Sequence, residues 1–217
     1  MNNPARASRA DGADTRARIL ETAGELFAAQ GFAQTPNKTI AAAAQVDLAS
    51  INYHFGNREG LYQAVLVEAH RRTISLADLQ QLADSPLSAE AKLRLLLDGV
   101  MRKILAEQGW HTRVMAQAFA QPVQSHQLLE GEILPKSVLT KQIASDISGI
   151  PAAEPALQLC MINILAPVLM LFLFGHHLPA PLQGIDTRNP DALAEHFHRY
   201  AVAGLQAAGD AWRAKRE

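Results

Sequence analysis

Residues 35–60 read TPNKTIAAAAQVDLASINYHFGNREG, short apolar runs separated by turn-forming residues and ending in a cluster of Asn, Tyr and His. Thr35-Pro36 offers an N-cap hydroxyl followed by proline at the first helical position, where the missing N–H costs nothing. The spacing predicts a short helix over 36–44, a turn at Gln45-Val46, and a third helix over 48–55 whose first turn is capped by the Asp47 carboxylate. Gly56-Asn57 ends that helix and another starts near Arg58. Short helices joined by a turn of about three or four residues describe a helix-turn-helix. In such a unit Ile51 and Phe55, one turn apart, fasten the last helix, and Ser50, Asn52 and Tyr53 lie off the buried stripe. Asn suits a bidentate pair with adenine, Ser a base or phosphate, and Tyr a phosphate or a thymine methyl.

On the N-terminal side, Ile19, Leu20, Ala23, Leu26 and Phe27 form one stripe of an amphipathic helix over 14–30, which Gly31 ends. Residues 1–13 show no apolar period and are expected to form a disordered arm. With no apolar h-region there, no secretory signal is expected. Arg6, Arg9, Arg16 and Arg18 are candidates to brush DNA phosphates, a solvated tail being the alternative. On the C-terminal side, Leu61, Tyr62, Val65, Leu66 and Ala69 line a helix expected to run from Arg58 to about Leu82. Longer helices are expected over 88–107, 110–120, 125–148, 154–175 and 190–213, punctuated by Gly109, Pro122, Gly149-x-Pro151 and the loop 177–189.

Of 217 residues, 48% are apolar, and Ala and Leu dominate over β-branched and aromatic residues, which favours an all-α chain. The net charge of −1 excludes no partner, because a local basic surface disappears in the total. The lone cysteine, Cys160, cannot form an intrachain disulfide and no Cys/His zinc spacing exists, so a reduced, cytoplasmic setting is expected, with no cofactor and no metal. His176-His177 and His196-x-His198 lack a carboxylate or Cys to complete a ligand set, and surface histidines are the simpler reading. The segment LQLCMINILAPVLMLFLFG, 157–175, approaches the length of a membrane span. Gln158, Asn163 and Pro167 interrupt it and neither flank is strongly basic, so a core or oligomer-interface helix is expected instead.

The run TRARILETAGELFAAQGF, followed by TPNKTIAAAAQVDLASINYHFGNREGLYQAVL, resembles the N-terminal DNA-binding domain of TetR-type transcriptional repressors over roughly Thr15 to Leu66. The resemblance rests on Ile19, Ala23, Leu26, Phe27, Gly31-Phe32, Thr35, Ile40-Ala41, Val46, Ile51, the Tyr53-His54-Phe55 triplet, and Arg58 before Leu61. It implies that Thr35, Tyr53, His54 and Arg58 contact phosphates or position the helix, while Lys38, Leu48, Ala49, Ser50 and Asn52 face the groove. For His54, packing against its own domain is the alternative. Three positions depart from the family pattern: Gln45 stands where the turn usually has Gly, Asn37 where an apolar residue is common, and Leu48 where the side chain is often basic.

The C-terminal segments HTRVMAQAFAQP, EILPKSVLTKQIASDISG and LQLCMINILAPVLMLFLFG resemble, in order, those of the CecR-like branch. That resemblance implies a dimer through the helices near 154–175 and 190–213 and an effector pocket among the middle helices. Met101, Trp110, Met115, Phe119, Met161 and Met170 are candidates to line that pocket, ordinary core being the alternative for each. No GxSxG, HExxH, P-loop or GxGxxG stands in a suitable context, and no enzyme is expected.

The expectation is therefore an all-α homodimer in three parts: an arm at 1–13, a three-helix DNA-binding domain at 14–58, and a helical effector-binding and dimerisation bundle at 59–217. It would bind a palindromic DNA operator as a repressor released by a small-molecule effector that shifts the helix after Arg58. A helical carrier or enzyme with a vestigial DNA-binding motif is the alternative.

Overall fold

A computed structural model describes residues 4–106, 109–120, 122–175 and 177–216. Every regular element among them is a helix: α1 (Pro4–Gln30), α2 (Asn37–Ala43), α3 (Leu48–Phe55), α4 (Arg58–Thr73), α5 (Leu76–Asp84), α6 (Ala89–Leu105), α7 (Trp110–Ala120), α8 (Pro122–Ser148), α9 (Pro155–Phe174) and α10 (Pro190–Ala214), with one 3₁₀ turn at Ala180–Leu182. The expected all-α fold is present. α1 starts at Pro4, so residues 4–13 continue the helix in place of the expected arm. Proline is well placed there, because its fixed φ suits a first turn that needs no N–H. His176 and Glu107 lie outside the described residues.

The chain forms two compact units that are not contiguous in sequence: residues 1–70 with 109–129, and residues 71–108 with 130–217. This differs from a split at residue 58, because α7 and most of α4 belong with the N-terminal helices. In the first unit Ile19, Phe27, Ile40, Ile51, Leu61, Val65 and Leu66 are inaccessible to solvent. Each large apolar side chain of this kind contributes about 1.5–3 kcal/mol by leaving water. α7 lies along α1. The Trp110 indole donates from Nε1 to Glu21 at 2.7 Å, and Gln117 donates to the Ala28 carbonyl at 3.2 Å.

In the second unit α6 and α10 are packed side by side. Arg94 pairs with Glu195 at 2.7 Å and with Asp98 on its own helix at 2.9 Å, and Arg102 pairs with Asp191 at 3.0 Å. His198 Nε2 sits 2.9 Å from the Glu90 carbonyl oxygen. Where one helix was expected from Arg58 to Leu82, there are two. Ser75 is extended at φ −73°, ψ 130°, and its hydroxyl accepts from the Asp78 N–H at 3.2 Å, which caps α5 and ends α4. The remaining helix ends fall close to the expected ones, Trp110–Ala120 among them.

α9 is long and apolar enough to cross a membrane by length and composition. Its apolar residues divide into two stripes. Leu157, Met161, Val168, Leu171 and Phe172 are buried; Leu159, Ile162, Leu165, Leu169 and Leu173, on the other side, are exposed. At 100° per residue the centres of the two stripes stand roughly 120° apart around the helix.

Candidate nucleic-acid interface

α2 and α3 meet at a tight turn. The chain leaves α2 through Ala44, whose N–H returns to Ile40 at 2.8 Å, and Val46 N–H returns to Ala41 at 3.0 Å. Between them Gln45 takes φ +55°, the left-handed conformation that a side chain disfavours. The departure from glycine is thus realised as a strained residue, and it sends the chain directly into α3.

Asp47 caps α3. Its Oδ1 accepts from the Ser50 N–H at 2.6 Å and from the Ser50 hydroxyl at 2.7 Å. Those bonds, the hydroxyl's first, hold the carboxyl below its ordinary range. Ile51 is fully buried beneath α3, and the half-buried Phe55 ring lies under the Arg16 guanidinium at 5.0 Å. Gly56 ends the helix at φ +78°. Asn57 then caps α4, accepting from Gly60 N–H at 2.7 Å. A Cβ at Gly60 would stand 2.1 Å from the Phe55 carbonyl oxygen, so only glycine allows α4 to begin this close to the end of α3.

What remains exposed on α3 is a compact, uncharged face: Leu48 at 49%, Ala49, Asn52 and Tyr53 at 84%. Leu48 and Asn52 are one turn apart, as are Ala49 and Tyr53, so the four share one side. His54 is half-buried, edge-on to Tyr53 at 5.0 Å and to Phe55 at 6.3 Å. Lys38 is exposed on α2.

Two residues expected at phosphates are turned inward. Thr35 is wholly buried, and its hydroxyl donates to the Gly31 carbonyl at 2.8 Å. The N-cap of α2 is Pro36, not Thr35, and it has no side-chain bond. Arg58 donates to the carbonyls of Phe32 and, at 3.2 Å, of Ala33, and its guanidinium lies 4.3 Å from the Phe32 ring centroid. Phe32 in turn stacks on Tyr62 at 4.3 Å, with Phe27 edge-on to both. Burial there pushes the Tyr62 phenol up. Both side chains donate to carbonyls of the corner between α1 and α2, Arg58 through Nη2, while the Arg58 Nε is buried without a hydrogen-bond partner. Ser50 is partly committed in the same way, to Asp47. Asn37, the other departure, has its Oδ1 buried without a hydrogen-bond partner.

The six pocket candidates are divided between the two units. Trp110, Met115 and Phe119 belong to α7 in the first unit. There Met115 is buried and the Trp110 ring presses on Gly24, where an added Cβ would come within 2.5 Å. Met101 on α6 and Met161 and Met170 on α9 belong to the second unit, the first two buried and the third half-buried. Two cavities in the second unit have other walls. One of about 150 Å³ is lined by Thr73, Ile74, Leu79, Leu82, Val100 and Lys103 among others, and one of about 270 Å³ lies along α9 and α10 beside Cys160 and Tyr200.

Comparison with known proteins bears on both units. Residues 19–65 match the model of bacterial regulatory proteins of the tetR family, and residues 89–208 match that of the C-terminal domain of the HTH-type transcriptional dual regulator CecR. Over 107 residues the chain is 34% identical to the HTH-type transcriptional regulator TtgR of Pseudomonas putida, covering 46% of this chain and 51% of that protein. The chain thus spans about half the length of the curated relative it matches. Among solved structures, a putative transcriptional regulator from Pseudomonas aeruginosa superposes with a TM-score of 0.70 at 18% identity, over 95% of this chain and 99% of that one. The regulator FadR from Bacillus subtilis, solved with stearoyl-CoA, gives 0.69 at 18% identity, over 86% and 97%. At such identities these two likenesses show the fold alone.

Proposed function

The chain belongs to the tetR family of bacterial regulatory proteins, in its CecR-like branch, and from that premise we propose that it represses transcription as a ligand-released homodimer on a palindromic operator. The observation that carries this reading is the exposed face of α3. Leu48, Ala49, Asn52 and Tyr53 are exposed, and they stand on a helix whose other side is fixed by Ile51, Phe55 and the Asp47 cap. A rigid helix with a polar and apolar free face suits the major groove. In this reading those four side chains enter the groove, Lys38 meets a phosphate, and His54 supports Tyr53. Thr35 and Arg58 set the corner that orients α2.

The exposed stripe of α9 supports dimerisation. Five large apolar side chains in one row are expensive to leave in water, and a twofold contact with the same row of a second copy, together with α10, covers them. Two α3 helices about one DNA turn apart, roughly 34 Å or a multiple of it, would then meet a palindrome. For release, an effector held in the second unit need only favour a different spacing of the two α3 helices. DNA and effector then weaken each other by the same factor. The chain passes between the units at residues 70–71, 108–109 and 129–130; the first and last crossings lie within α4 and α8, and these helices are routes by which such a change travels. As a DNA-bound regulator it would act in the cytoplasm.

The test is salt-dependent binding of the purified full chain to duplexes from the region flanking its own gene. Binding that weakens steeply with salt and prefers one palindromic fragment is expected. No affinity for any duplex at low salt would reject the reading in favour of a helical carrier.

A further inference from the structure

Taking α3 as the groove-reading helix, we infer that its half-site is read as A·T pairs: Asn52 pairs with an adenine edge, and Leu48 with Ala49 packs on the methyl of a neighbouring thymine. The inference follows from which chemistries α3 offers and which it lacks. Guanine is read chiefly by Arg or Lys reaching O6 and N7 together. α3, LASINYHF, contains neither. Cytosine is read by a carboxylate accepting from N4. The nearest carboxylate, Asp47, is folded back on Ser50, where Oδ1 takes two bonds at 2.6 and 2.7 Å to cap the helix. The Ser50 hydroxyl proton is used in the second of those bonds. Lys38 stands on α2, the helix that in this motif crosses the backbone and meets phosphate.

Adenine and thymine are what the remaining side chains fit. Asn52 is exposed, and its amide presents one donor and one acceptor side by side, the complement of adenine N7 and N6. Leu48, half-exposed one turn before it, and Ala49 beside it form an apolar patch at the N-terminal end of α3, the end from which base contacts are made. Only thymine offers an apolar group in the major groove. An apolar residue where related chains often carry a basic one therefore trades a phosphate contact for a methyl contact. Recognition shifts from charge toward shape and hydrophobicity.

The experiment uses the full-length protein. Duplexes selected from a randomised library are resynthesised with 2′-deoxyuridine in place of single thymidines, which deletes only the methyl, or with 7-deaza-2′-deoxyadenosine, which deletes only the N7 acceptor. Each is then titrated against wild type, Leu48→Ala and Asn52→Ala. Both substitutions are on exposed positions and leave the core untouched. Selected half-sites should carry A·T pairs under α3. One uridine position should weaken wild type about fourfold per half-site, the worth of one apolar carbon, and leave Leu48→Ala unaffected. One deaza position should weaken wild type about tenfold and leave Asn52→Ala unaffected. Selected half-sites with a required G·C under α3, or variants as sensitive as wild type to both analogues, would overturn the inference while leaving DNA binding intact. Failure to select any duplex at low salt would instead remove the DNA-binding reading, and the inference with it.

Discussion

Replacing Arg58 separates two roles that a basic residue at the start of α4 can play. Its guanidinium donates to two carbonyls of the α1–α2 corner and lies 4.3 Å from the Phe32 ring. A bond from an ionised donor contributes about 1.5–3 kcal/mol and a cation–π contact about 0.5–2 kcal/mol. The Ala33 bond is exposed and counts at the low end, and the Phe32 carbonyl keeps the Thr35 N–H at 3.2 Å when Arg58 is gone. Arg58→Met, which retains an apolar stem over Phe32, is therefore expected to cost the first unit about 2–3 kcal/mol. Arg58→Lys should cost nearly as much, because a point charge cannot span two carbonyls and stack at once. The assay is anisotropy on a palindromic duplex across a salt series, beside thermal unfolding. A phosphate contact contributes about 0.9 to the slope of log K against log salt, hence about 1.8 for the two copies in a dimer. For an internal Arg58, both variants bind more weakly with slopes parallel to wild type, and both melt earlier. A slope shallower by about 1.8 in Arg58→Met, restored in Arg58→Lys, with melting unchanged, would refute the internal assignment and return Arg58 to the phosphates.

Gln45→Gly should stabilise the protein by about 1 kcal/mol in denaturant titrations, because Gln45 holds φ +55° and glycine does so without a Cβ penalty; a lower midpoint would show that the Gln45 side chain earns its place. Ile162→Asp with Leu169→Asp, on the exposed stripe of α9, should give monomers in analytical ultracentrifugation and weaken palindrome binding roughly tenfold or more; an unchanged dimer would put the interface elsewhere. The Asp47 carboxyl is depressed in the folded state, so its cap stabilises α3 above the unfolded carboxylate pKa of roughly 3.9 and is lost as pH falls through the lower folded value. The melting advantage of wild type over Asp47→Asn should thus be full near neutrality and shrink below about pH 4; an advantage that grows on acidification would contradict the cap.

The helix-turn-helix was legible because its signals are local and redundant. Asp47 at the start, Gly56-Asn57 at the end and Ile51 with Phe55 one turn apart each specify α3 alone, and the structure forms it over Leu48–Phe55. The break between α4 and α5 was local too. Ser75-x-x-Asp78 is a capping pattern, and the apolar period that continues through it hides the break in the sequence although the cap prevails in the fold. The directions of long side chains were not legible. Thr35 and Arg58 are expected from the resemblance at phosphates, and sequence places a residue on a helix without choosing among acceptors within its reach. Here two carbonyls freed at the end of α1 compete with the solvent side, and the Phe32–Tyr62 stack tips Arg58 inward.

The pocket candidates raise a related ambiguity. Met, Trp and Phe line an apolar cavity and fill an apolar core with equal ease, so composition selected buried side chains without distinguishing the two. Trp110 shows what distinguishes them. Gly24 on α1 leaves a space that the indole fills, and Glu21 supplies the acceptor its N–H requires, two provisions made some 90 residues away in sequence. A residue met by such matched provisions is held by the fold, whereas Leu48 and Asn52 on α3 are left exposed and Tyr53 touches only the neighbouring His54 ring. By that criterion the proposed groove-reading face is a set of side chains that the rest of the fold leaves exposed, and on α3 that set is small, contiguous and uncharged.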